Sequence, residues 1–184
     1  MSPANLPPSS ASATSASDAT SIVGKVYLIG AGPGAADLIT VRGARLLAQA
    51  DVVLHDALVT EEMLELCPQA VKISVGKRSG QRSTAQQVIN ERLIECAHQY
   101  RLVVRLKGGD PMLFGRADEE LRALDSHNIP YEIVPGITAA LAAASSAQRP
   151  LTKRGIARSV SLFTSSTAPD EPSEPHMRTC PNSM

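Results

Sequence analysis

Leu102-Val103-Val104-Arg105-Leu106 runs directly into Lys107-Gly108-Gly109-Asp110-Pro111 and then Met112-Leu113-Phe114-Gly115-Arg116. The first five residues are an apolar run that predicts a buried strand. Two glycines let the backbone turn tightly and approach a ligand with no Cβ in the way. Pro111 pushes Asp110 toward an extended conformation, so its carboxylate is presented and not folded into a helix. A strand ending in such a loop places polar groups at the carboxyl edge of a sheet, where α/β proteins bind small molecules. Two glycines alone fit a plain strand-to-helix turn equally well; the ten-residue string is far more specific.

Working outward, strand-like runs recur at 25–30, 52–55, 71–75, 131–134 and 159–163. Leu38, Val41, Ala44, Leu47 and Ala48 recur at helical spacing, as do Ile89, Leu93, Cys96 and Ala97, with Ser83 or Thr84 as a cap for the latter. Two more helices are expected over 117–126 and 138–146. Hydrophobic strands separated by helices imply an α/β fold, a mostly parallel sheet with helices on both faces.

Composition narrows the function classes. The chain has 184 residues with 18 basic against 18 acidic, so no global field favours nucleic acid or an anionic membrane. Aromatics are 3% with no Trp, which argues against a base-stacking surface. Cys67, Cys96 and Cys180 are widely separated and odd in number. Neither a disulfide framework nor a zinc site is expected, and a reducing cytoplasm fits. The histidines lack metal-ligand spacing. No apolar run approaches the roughly 18 residues that cross a bilayer.

The ends differ from the middle. Residues 1–22 are mostly Ser, Ala, Thr and Pro with one acidic residue, and read as a disordered leader. Residues 23–163 form the expected packed domain, about 140 residues, large enough to fold alone. Residues 164–184 carry Pro169, Pro172, Pro175 and Pro181 and no helix or strand period.

Gly30-Ala31-Gly32-Pro33-Gly34 follows Val26-Tyr27-Leu28-Ile29, with Asp51 and Asp56 about 20 residues on, where a dinucleotide's ribose-binding acid would sit. Against this, the third glycine comes one position early, and Pro33 lacks the backbone N–H that a pyrophosphate would use. The loop by itself leaves a nucleotide site and a structural turn both open.

These loops, together with Asp51-Val52-Val53-Leu54-His55-Asp56, Val75-Gly76-Lys77-Arg78 and Val134-Pro135-Gly136-Ile137-Thr138-Ala139-Ala140, occur in an order that resembles the uroporphyrinogen-III C-methyltransferases, a group of the tetrapyrrole methylases. The resemblance covers roughly residues 24 to 163. It implies the N-terminal domain of a two-domain enzyme, homodimeric when intact, that uses S-adenosylmethionine and no metal. Its tetrapyrrole substrate would be methylated twice to precorrin-2, toward sirohaem and cobalamin. By the same resemblance Asp56 is the proton acceptor and Lys77 the proton donor, or Lys77 pairs with a substrate carboxylate. Pro33, Gly108, Gly109, Asp110, Leu113, Thr138 and Ala139 would hold the methyl donor, with Asp110 toward a ribose hydroxyl or the amino-acid end. Arg78 and Arg82 suit the acetate and propionate groups of the substrate, since arginine binds carboxylates bidentately. Read on their own, Asp56 is a solvated loop aspartate, Thr138 a helix cap and the basic residues a solvated loop.

Two departures stand out. Ala117-Asp118 replaces an expected pair of small residues and adds a charge beside the donor loop. After Phe163 the family continues into a second α/β domain, whereas this sequence turns proline-rich. The expectation is a truncated product that keeps one wall of the site, with little methyl transfer and weak cofactor binding. Competing readings are a non-catalytic nucleotide-binding or dimerisation fragment, a nicotinamide-dependent oxidoreductase, and a related methylase acting on another corrin intermediate.

Overall fold

A computed structural model describes residues 23–75 and 86–164. Five strands form one sheet: β1 (Lys25–Gly30), β2 (Val52–His55), β3 (Val71–Ser74), β4 (Leu102–Lys107) and β5 (Tyr131–Val134), in the order β3-β2-β4-β1-β5. Every pairing is parallel. The helices are α1 (Val41–Leu47), α2 (Glu61–Leu64), α3 (Gln86–Gln99), α4 (Ala117–Ser126) and α5 (Ala139–Ser146).

Successive side chains of a strand point to opposite faces, and the sheet builds two cores in this way. Val26, Leu28, Val52, Leu54 and Val103 meet Leu93, Cys96 and Ala97 of α3 and Leu124 of α4. Ile29, Val53, Val104 and Leu106 meet Leu47 of α1 and Met63 and Leu64 of α2. Fully burying each such Leu, Ile or Val stabilises the fold by about 1.5–3 kcal/mol before entropy is counted. The expected α/β sheet with helices on both faces is therefore present.

Several local expectations change. The segment 159–163 forms no strand. A strand needs a neighbouring ladder, and these residues lie exposed, with Val160 and Leu162 lining a groove of about 760 Å³ along α5. The helical run from Leu38 to Ala48 is divided. Ala36–Leu38 is a 3-10 turn, and α1 begins only after Thr40, whose hydroxyl accepts the Gly43 N–H at 3.1 Å. α2, a single turn capped by Thr60, was too short to read from periodicity. Ser83 and Thr84 lie outside the described residues. Among the described residues no helix is long and apolar enough to cross a membrane.

Candidate functional site

Among the described residues, loops leave the carboxyl edge of the sheet after β1, β2, β4 and β5, and close backbone contact joins three of them. Gly32 and Gly109 exchange backbone hydrogen bonds, Gly32 N–H to the Gly109 carbonyl at 3.1 Å and Gly109 N–H to the Gly32 carbonyl at 2.8 Å. A Cβ on Gly30 would lie 2.6 Å from both the Gly109 oxygen and the Gly136 Cα, and one on Gly136 only 2.2 Å from the Gly109 oxygen. Only hydrogen fits at these positions. Gly30 and Gly136 lack a side chain where their backbones press on the Gly109 carbonyl and on each other, whereas Gly109 itself is glycine for its φ of 66°. That contact brings Pro33, the 108–113 segment and Thr138-Ala139 around one rim.

The carboxylates fix the same rim. Asp110 Oδ2 accepts the Gly136 N–H at 2.9 Å, and Oδ1 accepts the Met112 N–H at 2.8 Å. Each oxygen keeps a further lone pair for a ligand. Asp56, half-buried after β2, accepts the Leu58 N–H on Oδ1 at 3.1 Å and the Gly108 N–H on Oδ2 at 3.2 Å. Leu58 leans over Gly108, where a Cβ would meet the Leu58 Cβ at 2.8 Å. Asp56 is thus a loop-ordering acceptor and not a freely solvated side chain.

The cradle is open where a ligand would need it. A Cβ on Gly34 would meet nothing within 4 Å, and one on Gly109 (φ 66°) would meet only the Thr138 Cα at 3.8 Å. Thr138 is the residue before α5, yet its side chain makes no capping bond, so the hydroxyl is not committed to the helix. Leu58, Met112 and Phe114 are exposed large apolar side chains on the surrounding loops. Bare backbone beside an apolar fringe is a combination that small-molecule sites share. Asp118 pairs with Arg122 at 3.0 Å, and Arg116 forms a two-pronged pair with Glu119 at 2.7 and 2.8 Å, all exposed. The charge added by Asp118 is therefore partnered on its own helix. Lys77, Arg78 and Arg82 lie outside the described residues.

Strand order bears on the dinucleotide reading. In the dinucleotide fold β2 lies beside β1; here β4 separates them, placing β2 about 10 Å from β1. Asp51 is at the opposite edge, where Oδ2 accepts the N–H groups of Arg101 and Leu102 at 3.1 and 2.8 Å. It closes the bottom of the sheet. Asp51→Ala is expected to cost about 1–3 kcal/mol in urea unfolding while ligand affinity stays unchanged; a fall in affinity would return Asp51 to the site.

The sequence reading assigned no role to a charged cluster behind the rim. Arg105, Lys107 and Glu120 are only 3%, 4% and 0% exposed. Arg105 Nε donates to Glu120 Oε1 at 3.0 Å and Lys107 Nζ to Oε2 at 2.9 Å. Arg105 Nη1 also reaches the Leu106 carbonyl at 3.1 Å. Burial, then the neighbouring Arg105, holds the Lys107 ammonium below its ordinary pKa. Two charged residues at i and i+2 of an apolar strand share one face, and that was the available signal. Among the described residues no group of His, Cys, Asp and Glu could hold a metal.

Fold and rim together define an α/β protein with a candidate small-molecule site at the carboxyl edge of a parallel sheet, built from glycine turns and not from a phosphate loop. The family described as Tetrapyrrole (Corrin/Porphyrin) Methylases matches residues 25–179, and this chain belongs to it. The uroporphyrinogen-III C-methyltransferase of Pseudomonas aeruginosa is 53% identical over 149 residues, covering 81% of this chain and 61% of that protein. The siroheme synthase of Psychrobacter cryohalolentis is 51% identical over 148 residues, covering 80% and 28%. A crystal structure of uroporphyrin-III C-methyl transferase from Thermus thermophilus, complexed with S-adenyl homocysteine, superposes with a TM-score of 0.61 at 46% identity over 72% of this chain and 52% of that one. Against these relatives the chain spans from 28% to 61% of the full length.

Proposed function

We propose that this chain carries the donor-binding wall of an S-adenosylmethionine-dependent methyltransferase site, and that its substrate is uroporphyrinogen III, methylated on carbon toward precorrin-2. The observation that carries the reading is the contact of Gly30, Gly109 and Gly136, which draws Pro33, Gly108, Gly109, Asp110, Leu113, Thr138 and Ala139 to one rim. Relatives named for this reaction, and a structural neighbour complexed with S-adenyl homocysteine, support it. The bound donor would supply an electrophilic methyl group on sulfur. The chain's part is to hold that group in line with the attacking pyrrole carbon, an arrangement that can contribute on the order of 7–11 kcal/mol. Asp56, at the rim and already a carboxylate acceptor, would take the proton the ring loses. Arg78 and Arg82 would bind the substrate's carboxylates, and Lys77 would return a proton or join them.

Calorimetric titration of the full chain with S-adenosylhomocysteine, beside NAD, tests this. Heat from the first and none from the second is the expected result; NAD binding, or silence from S-adenosylhomocysteine at millimolar concentration, would overturn the reading. Transfer of labelled methyl to uroporphyrinogen III then separates a donor-binding domain from a complete catalyst.

A further inference from the structure

Resting on the donor-site reading above, we propose that Lys107 and Glu120 are positioning residues, holding the 108–116 loop and Asp56 in register from beneath. The Lys107 side chain is the floor of that loop. Its Nζ is tied to Glu120 of α4 at 2.9 Å, and the next backbone N–H, that of Gly108, is tied to Asp56 at 3.2 Å. At the loop's far end Gly115 rests on the Lys107 stem, because a Cβ there would lie 3.2 Å from Lys107 Cε. Both ends of the loop are therefore registered against one buried side chain.

Charge within the cluster points the same way. Arg105 and Lys107 face one buried carboxylate, and Asp56 is the further acidic group acting electrostatically on Lys107. The four formal charges sum to zero only when Asp56 is counted, and Asp56 is joined to the Lys107 segment through the Gly108 N–H that it accepts. Glu120 Oε1 also accepts from Gln86 Nε2 at 3.4 Å, at the first residue of α3. That helix follows Lys77, Arg78 and Arg82 in the chain, so the same carboxylate anchors the donor loop and the helix beyond the basic segment. Buried ion pairs can often be replaced by apolar side chains of similar volume with no loss of stability. The ion pairs are better explained by the geometry they impose.

Lys107→Met and Glu120→Gln in the full chain test this, read by thermal unfolding, S-adenosylhomocysteine titration and amide hydrogen exchange. Lys107→Met keeps the volume and leaves Arg105 paired with Glu120, so it should melt with the wild type or above it. Its ligand dissociation constant should nevertheless rise about tenfold, with faster exchange at Gly108 and Gly109. Glu120→Gln should show the same two effects in its folded fraction. Variants that bind and exchange like the wild type would overturn the proposal while the donor site stands. Failure of the unmodified chain to bind S-adenosylhomocysteine overturns the donor-site reading, and exchange at Gly108 then decides alone whether Lys107 holds the loop.

Discussion

Alanine at Gly136 is expected to destabilise the domain by about 3 kcal/mol, lowering the melting temperature by about 10 °C. The added methyl carbon would sit 2.2 Å from the Gly109 oxygen and 2.8 Å from the Gly30 Cα. Neither neighbour can yield cheaply. Gly30 lies in β1, whose ladder is fixed by β4 and β5 on both sides, and Gly109 is held by its paired bonds to Gly32. Relief would have to come from moving the β5 loop outward, which breaks the Asp110 bond to the Gly136 N–H. The variant should therefore lose S-adenosylhomocysteine binding even at temperatures where it remains folded. A Gly136→Ala protein that melts with the wild type would show that the three loops do not touch in solution.

Removal of the buried carboxylate should have the other large effect. Glu120→Ala leaves Arg105 and Lys107 with like charges, almost no solvent and no carboxylate paired to either, and is expected to cost about 3–5 kcal/mol in denaturant unfolding. Lys107→Met should cost little or stabilise, because it removes one of the two cations that share Glu120 and spares the Arg105 pair. Glu120→Gln, which keeps the volume and removes the charge, is the control: it should still be destabilised, whereas a cluster that simply filled space would tolerate it.

The Lys107 shift adds a pH dependence with a definite sign. Its native pKa lies below the ordinary 10.5, through burial first and Arg105 next. Between that lowered value and 10.5 the unfolded chain binds a proton that the folded chain has released, so stability contributed at this site rises with pH. Below the window the site contributes its full unfavourable share. Wild type should thus gain on Lys107→Met as pH climbs into the alkaline range, measured as the difference between their urea midpoints. A difference that stays constant across that range would mean that Lys107 binds its proton equally in both states.

The strands β1, β2, β4 and β5 and the helix α4 were legible in the sequence because each is a short periodic or continuous apolar run with turn residues at its ends. So were the rim loops: Gly108-Gly109-Asp110-Pro111 and Val134-Pro135-Gly136 combine residues that few other contexts favour. The segment 159–163 has the same apolar character as a strand, yet it forms none, because strand formation depends on an available ladder partner and not on composition alone. Thr40 and Thr60 as helix starts were in principle readable from capping chemistry, but helical spacing across Leu38 and Val41 concealed the first of them.

What the sequence determined by itself was local: which runs extend, which wind, and where the chain must bend without a Cβ. Tertiary structure alone decided that β4 lies between β2 and β1, because the partners of a strand are chosen by packing across long sequence separations. That placement sets Asp56 against Gly108, makes the glycines of three distant loops meet, and closes Arg105 and Lys107 over Glu120. A charge is tolerable inside a protein only where an opposite charge reaches it, and which residue does so is a property of the assembled sheet.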